Sequence, residues 1–374
     1  MLKGCRIVFL LGNLELGGAE RQALILARYL AGHEQAAVQV WGFNKTGPVA
    51  EICERHGLPW RMIPFPFNGT RSDRLRGLIR VCSALRQTKP DILLPYTLGP
   101  NTVCGLIGRW TGASACVWNQ RDEGIVRYGP SIARRAAKRT PRFIANSEGG
   151  ARFLIEKLLV DESKVTVIRN GIETVAPELD RRAWRERLAV DDSSFVACMV
   201  ANLHALKDHA TLLHAWRKVV NELENNGRAP LLVLAGRHDG AYESLAALAA
   251  NLQLDGTVRF AGHVSDVSGL LGAADVSVFS SRSEGCPNSV LESMAAALPV
   301  AGTDIAGIRE VVGPTGAEFL TPAGDADSLA AVLLKLAADR ELRAHHGAQN
   351  RERIRERYGA LRMCKETVDV LARL

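Results

Sequence analysis

Short apolar runs, each ending in a glycine or a polar turn and followed by an apolar stripe at helical spacing, recur along nearly the whole chain. They fall at 6–11, 37–41, 60–64, 91–96, 115–118 and 143–146, then from 165 to the turn Asn170-Gly171. A second series occupies 195–200, 231–236, 258–264, 275–280 and 299–304. Between them lie helical faces such as Ala23, Leu26, Ala27 and Leu30, or Leu212, Leu213, Trp216 and Val220. Continuous rather than alternating apolar runs belong to strands buried on both faces, and repeated strand–helix units build parallel, doubly wound sheets. The expectation is an α/β protein with two such sheets, whose ligands enter at the carboxyl ends of the strands.

A chain of 374 residues suits two domains of about 150 to 190 residues each. The first is placed at 1–173. The second is placed at 174–359, with 174–179 as the linker around Pro177. The start of the chain superficially resembles a signal peptide, but its apolar run is short and ends in a loop, so it reads as a first buried strand. No run approaches the roughly 18 apolar residues that a membrane span requires. Eight cysteines lie scattered without a C-x-x-C pair, as in a reduced, cytoplasmic protein. The histidines and cysteines show no metal-ligand spacing, so neither a metal nor a cofactor is expected.

Charge is uneven. Residues 1–173 carry 25 Lys and Arg against 14 Asp and Glu, and the remainder carries 22 against 26. The basic excess gathers at Arg71, Arg74, Arg76, Arg80 and Arg86 and again at Arg134, Arg135, Lys138, Arg139 and Arg142. Such clusters either face anionic lipid head groups at the inner face of the membrane or a lipid pyrophosphate, or form a solvated surface. Nucleic acid is not expected, because no recognition motif accompanies the charge.

The stretch 280–295, Ser-Ser-Arg-Ser-Glu-Gly-Cys-Pro-Asn-Ser-Val-Leu-Glu-Ser-Met-Ala, reads as a strand end, a polar turn and a helix with Pro287 at its first position. The amides around Gly285, Cys286, Asn288 and Ser289 then form a helix-end anion site suited to phosphate. Glu284 precedes the helix and Glu292 lies inside it. Carboxylates beside a phosphate site make sense as acceptors for sugar and ribose hydroxyls. The other reading is a capped helix with two surface acids. Upstream, Gly17-Gly18 is either a plain loop or a place where backbone approaches a diphosphate. Lys207 falls in a strand-to-helix loop, with Asp208 as the expected cap of the following helix. It is either solvated or placed to neutralise a departing diphosphate. His238 and His263 read as loop histidines.

The E-x7-E block, G-G-A-E-R at 17–21, N-S-E at 146–148 and I-R-N-G-I-E at 168–173 resemble the retaining glycosyltransferases of family 4, which have the GT-B fold. That resemblance covers nearly the whole chain and implies two Rossmann-like domains facing across a cleft, with a final helix, 360–374, packing back on the first domain. By resemblance, Glu284 faces the donor sugar, Glu292 holds the ribose, the amides from Gly285 to Ser289, Pro287 excepted, hold the diphosphate, and the backbone at Gly262 and Val264 meets the base. Two departures are visible. Asn202 stands where the family commonly has an arginine and supplies no charge, and the loop at 119–124 lacks the family's histidine, leaving Arg121 and Asp122 as acceptor-side candidates or as partners in a surface ion pair. The resemblance thus implies a metal-independent hexosyltransferase of polysaccharide biosynthesis. It would move a sugar from a nucleotide-diphosphate donor, with UDP preferred, to a lipid-linked or cell-envelope glycan. The alternatives are a nucleotide-sugar epimerase and a non-catalytic sugar-nucleotide-binding protein. A nicotinamide dehydrogenase is disfavoured, because no G-x-G-x-x-G follows the first strand.

Overall fold

The computed structural model describes residues 2–124 and 130–374. The chain divides into two compact units, one running to Gly171 and including Ala360–Leu374, the other Ile172–Gly359.

The first unit is built on β1 (Arg6–Leu11), β2 (Ala37–Gly42), β3 (Trp60–Met62), β4 (Ile92–Pro95), β5 (Ala115–Gln120), β6 (Arg142–Ala145) and β7 (Val165–Val167). All pair in parallel in the order β3-β2-β1-β4-β5-β6-β7. One face of the sheet packs against Leu24, Leu26, Ala27 and Leu30 of the helix Gly18–Gly32. The final helix, Ala360–Leu371, joins the same face through Met363, Cys364 and Leu371. The opposite face covers Trp41, Phe43 and Phe65 with Val81 and Leu85 of the helix Arg71–Thr88.

The second unit contains β8 (Phe195–Val200), β9 (Pro230–Ala235), β10 (Val258–Gly262), β11 (Val276–Phe279), β12 (Val300–Thr303) and β13 (Leu320–Thr321). Its order is β10-β9-β8-β11-β12-β13, again parallel throughout. Trp216 on the helix His209–Asn225 is fully buried and stacks near Phe195 at 6.3 Å, a burial that contributes roughly 3 kcal/mol. At the amino ends of the strands Arg185 is buried yet fully engaged. It donates to Asp191 O, Ala273 O and Asp275 Oδ2, and that carboxylate also accepts from Val196 N. A second clamp, Asp266, accepts from Trp184 Nε1 and from the amides of Gly269, Glu178 and Leu179. Burial alone would raise its pKa, but these donors pull it down to about 2.

Strand order reverses between β1 and β4 in one sheet and between β8 and β11 in the other. At such switch points the flanking helices depart to opposite faces and leave a crevice at the carboxyl ends.

Several boundaries differ from the sequence reading for identifiable reasons. β5 continues through Asn119 and Gln120: Asn101 Nδ2 donates to Asn119 O and its Oδ1 accepts from Asn119 N, while the Gln120 side chain accepts from Trp118 Nε1 and donates to Asp122 Oδ1. The helix between β3 and β4 starts at Arg71, where Thr70 and Asp73 cap each other's backbone. Ser147 caps the helix Glu148–Arg152, and after Arg152 the turn widens into a π-helical stretch, Phe153–Lys157. Asp208 is not a cap: it sits in the left-handed region at φ 48° and its carboxylate does not meet the helix amides. Pro287 precedes the helix Asn288–Ala295 rather than beginning it.

Candidate active site

In the second unit the carboxyl ends of β8 and β11, neighbours at the switch point, each deliver one charged side chain. β8 leads through a 3-10 turn, Ala205–Lys207, and β11 through the turn that begins at Ser280. Lys207 Nζ donates to Glu284 Oε1 across these turns. Ser281 Oγ donates to the same oxygen at 2.8 Å, so Oε2 has no hydrogen-bond partner among the described residues. The side chains of Glu284 and Lys207 are 14% and 27% exposed, leaving the pair reachable by a ligand yet partly withdrawn from water.

The two turns are stitched together by more than this pair. Ser280 Oγ donates to Lys207 O at 3.0 Å, and Arg282 N donates to Leu206 O at 2.9 Å. Arg282 Nε reaches Asp208 Oδ2 at 2.9 Å, and Thr211 Oγ1 donates to that same oxygen. This explains the missing cap, since the carboxylate of Asp208 is drawn to Arg282. Behind the Glu284 turn, Gly307 permits contact closer than any side chain allows, because a Cβ there would lie 2.1 Å from Glu284 O. Next to Asp208, His209 is 2% exposed and neither ring nitrogen has a hydrogen-bond partner. Burial first, and the charge of Lys207 second, lower its pKa to about 4.

The helix Asn288–Ala295 has Pro287 at its N-cap and so no side-chain cap there, and the positive end of a helix favours an anion. Gly285, Cys286 and Pro287 are buried in the turn, Asn288 and Ser289 are half-buried, and Glu292 is half-buried one turn into the helix. Asn202, at the end of β8, accepts from Arg237 N at 3.1 Å through Oδ1. Arg237 is thereby fixed at the same strand-end rim, a cation the sequence reading overlooked, with Asp239 at 3.9 Å. Gly262 closes β10 at φ 63° and accepts from Gly236 N, and Val264 packs on the cluster beneath.

In the first unit, Gly17 is the extended residue ahead of the helix Gly18–Gly32, again without a side-chain cap. Gln22, one turn in, is buried and exchanges two hydrogen bonds with the backbone of Gly171. Arg121 is not in a surface ion pair. Its guanidinium lies 4.6 Å over the buried Tyr96 ring and donates to Asn170 Oδ1 and Asn119 Oδ1. Asp122 is turned back on its own loop, accepting from Gln120 Nε2 and Gly124 N. Arg121 and Asn170 are therefore brought together near the Gly18 helix through Gly171 and Gln22, whereas Asp122 closes a turn. Ser281, Arg282 and His209 escaped the sequence reading because their roles depend on partners in other strand-end turns or on burial.

Among the described residues no group of three or more His, Cys, Asp or Glu side chains could hold a metal. No helix among them is long and apolar enough to cross a membrane.

Residues 180–353 match the family model described as glycosyl transferases group 1, and residues 16–175 match glycosyltransferase family 4. The chain is 31% identical over 72% of its length, and 72% of the relative's, to an Escherichia coli protein. That relative is the UDP-Gal:α-D-GlcNAc-diphosphoundecaprenol α-1,3-galactosyltransferase. It is 27% identical, over 90% of both chains, to the lipopolysaccharide core biosynthesis glycosyltransferase LpsE of Rhizobium meliloti. Several other curated relatives are matched over about half of their length. Among solved structures, Anabaena HepE in complex with UDP and glucose is similar with a TM-score of 0.85 at 20% identity, covering 99% of this chain and 100% of that one.

Proposed function

Because the chain belongs to the glycosyltransferases of group 1 and family 4, with the GT-B fold, we propose that it transfers a hexosyl group from a nucleoside-diphosphate sugar to a lipid-linked or cell-envelope glycan, with retention of anomeric configuration. The observation that carries this reading is the Lys207–Glu284 pair at the switch point of the second sheet, just ahead of the amino end of the helix Asn288–Ala295. In this reading Glu284 Oε2 accepts from a hydroxyl of the donor sugar, and Glu292 accepts from the ribose. Lys207 keeps two of its three N–H donors for the diphosphate, with the amides of residues 285, 286, 288 and 289, and Asn202 adds an uncharged donor. Charge that develops on the leaving diphosphate meets donors already in place, which is where preorganised electrostatics lower a barrier most.

Retention is proposed to follow from a single-faced transfer through an oxocarbenium-like state, the departing diphosphate helping to deprotonate the acceptor hydroxyl. No protein nucleophile, metal or cofactor has a role in it. UDP is favoured as the carrier because the E. coli relative uses UDP-galactose and HepE was crystallised with UDP. The same relative acts on a diphosphoundecaprenol-linked sugar, which supports a lipid-linked acceptor and a place in polysaccharide assembly at the cytoplasmic membrane face. Gly17, Gly18 and Arg121 are the residues of the first unit proposed to contact phosphate or acceptor.

The test is a thermal-shift panel of nucleoside diphosphates and nucleotide sugars. One uridine nucleotide should raise the melting temperature, and Lys207→Ala should abolish that shift. A protein unresponsive to every nucleotide would overturn the reading. An epimerase would convert the donor alone to a second sugar nucleotide, and a binding protein would shift without turnover.

A further inference from the structure

The helix Arg71–Thr88 has two apolar stripes, and only one of them is fully used by the core. Val81 and Leu85 are buried under β1 and β4. In the other stripe, Leu75, Leu78, Ile79 and Cys82, spaced one to four residues apart, Leu78 and Cys82 are half-buried against that core, while Leu75 and Ile79 face out at 59% and 62% exposed. Across from it, the chain after the helix Leu98–Ile107 presents Trp110 (50% exposed) and the helix Pro130–Ala137 presents Ile132 (45% exposed). Together they line an open groove of about 1060 Å³, with Arg86, Arg135 and Arg139 among its walls. Isolated exposed leucines are ordinary, but a contiguous apolar patch with a polar rim marks an interaction surface.

The rim decides what interacts. Arg80, Arg86, Arg135 and Arg139 have no carboxylate in ion-pair range among the described residues, while Arg76 is only loosely paired with Asp73 at 3.8 Å. Arg139 and Arg109 instead flank the Trp110 ring, at 5.9 and 4.6 Å. A protein partner would have to match this density of guanidinium groups with carboxylates one by one. An anionic bilayer offers phosphates continuously, with acyl chains just below them for the aliphatic side chains and an interfacial layer that suits tryptophan. The helix is about 27 Å long, enough to lie along such a surface.

The geometry points to this groove as a docking site for an anionic phospholipid bilayer. Leu75, Ile79 and Ile132 enter the acyl boundary, and Arg86, Arg135 and Arg139 meet lipid phosphates. The assignment does not rest on the sugar-transfer reading, and its test measures binding only.

The full chain is sedimented with phosphatidylcholine vesicles and with vesicles containing roughly one-third phosphatidylglycerol, the latter raising surface attraction for each basic side chain about fivefold. The expected result is partition to the anionic vesicles alone, weakened by salt. The triple change Arg86→Glu, Arg135→Glu, Arg139→Glu should lower partition at least 100-fold, and Leu75→Ser with Ile79→Ser at least tenfold. All of these positions but the half-buried Arg139 are exposed, and melting temperature verifies that the variants fold. A matched triple in and just after the final helix, Arg362→Glu, Lys365→Glu, Arg373→Glu, removes the same charge from the opposite face of the first sheet and should leave partition within about threefold of wild type, since electrostatic attraction acts within a Debye length of the surface. Equal loss in both triples would overturn the assignment, as would equal binding to neutral vesicles or no binding to either. Self-association abolished by the Leu75 and Ile79 changes, without vesicle binding, would also overturn it and make the groove an interface between copies.

Discussion

Lys207 and Glu284, 77 residues apart in sequence, meet in an ion pair that joins the loops after two adjacent parallel strands. Ser281 supports the same carboxylate oxygen, and the side chains of Glu284 and Lys207 remain 14% and 27% exposed. The pair holds both groups in position before any substrate arrives.

Removing the carboxylate tests this directly. Glu284→Gln keeps the shape and the Ser281 contact but loses the charge, and donor turnover should fall at least about 100-fold while nucleoside-diphosphate affinity changes less than threefold. Steady-state kinetics with the best donor, together with titration calorimetry of the diphosphate, separates the two effects.

The lysine should matter to both stability and turnover. Lys207→Met leaves Glu284 partly buried with only Ser281 to answer it, at a cost of about 1–3 kcal/mol. Adding Glu284→Gln removes the unanswered charge, so the double variant should regain most of the loss in urea denaturation. A double-mutant cycle with no coupling would mean that the pair is not formed in solution.

Acid should expose His209. Its pKa is lowered from 6.5 to about 4 by burial and by Lys207, so the unfolded chain binds a proton in that interval that the folded protein refuses. The stability this contributes is fully present above about pH 6.5 and is lost as pH falls toward 4, with a slope of up to about 1.4 kcal/mol per pH unit. His209→Leu should flatten the fall in unfolding midpoint between pH 6.5 and 4.5. Asp266, held at about 2, acts only in more acid solution, so it does not blur the comparison.

Gly307 is a backbone contact of the Glu284 turn that leaves no room for a methyl group. Gly307→Ala places a Cβ 2.1 Å from Glu284 O, and the turn must shift. Turnover should drop at least tenfold with a stability loss of about 2 kcal/mol or more. Gly272→Ala, at a glycine with open space around the new atom, should change neither.

The alternation of strands and helices was legible because buried parallel strands have no solvent face and so carry an unbroken apolar run. Positions just after those runs, including Asn202, Lys207 and Glu284, could be placed on one rim for the same reason. What could not be read locally was anything decided by a distant partner. Asp208 resembles a helix cap in sequence, yet Arg282, 74 residues away, takes its carboxylate. Arg121 next to Asp122 looks like half of a surface ion pair, but Tyr96 and Asn170 claim it. Asn119 and Gln120 look like loop residues only because the side chain of Asn101 that satisfies the strand lies 18 residues earlier than Asn119.

The most direct measurement follows a UDP-sugar by proton NMR in the presence of the wild-type protein and of Glu284→Gln, with and without EDTA. The account predicts slow release of UDP and of the free sugar first in the donor's own anomeric form, unchanged by EDTA and reduced at least about 100-fold in the variant. Equal release by both proteins, a product of inverted configuration, or release abolished by EDTA would contradict it.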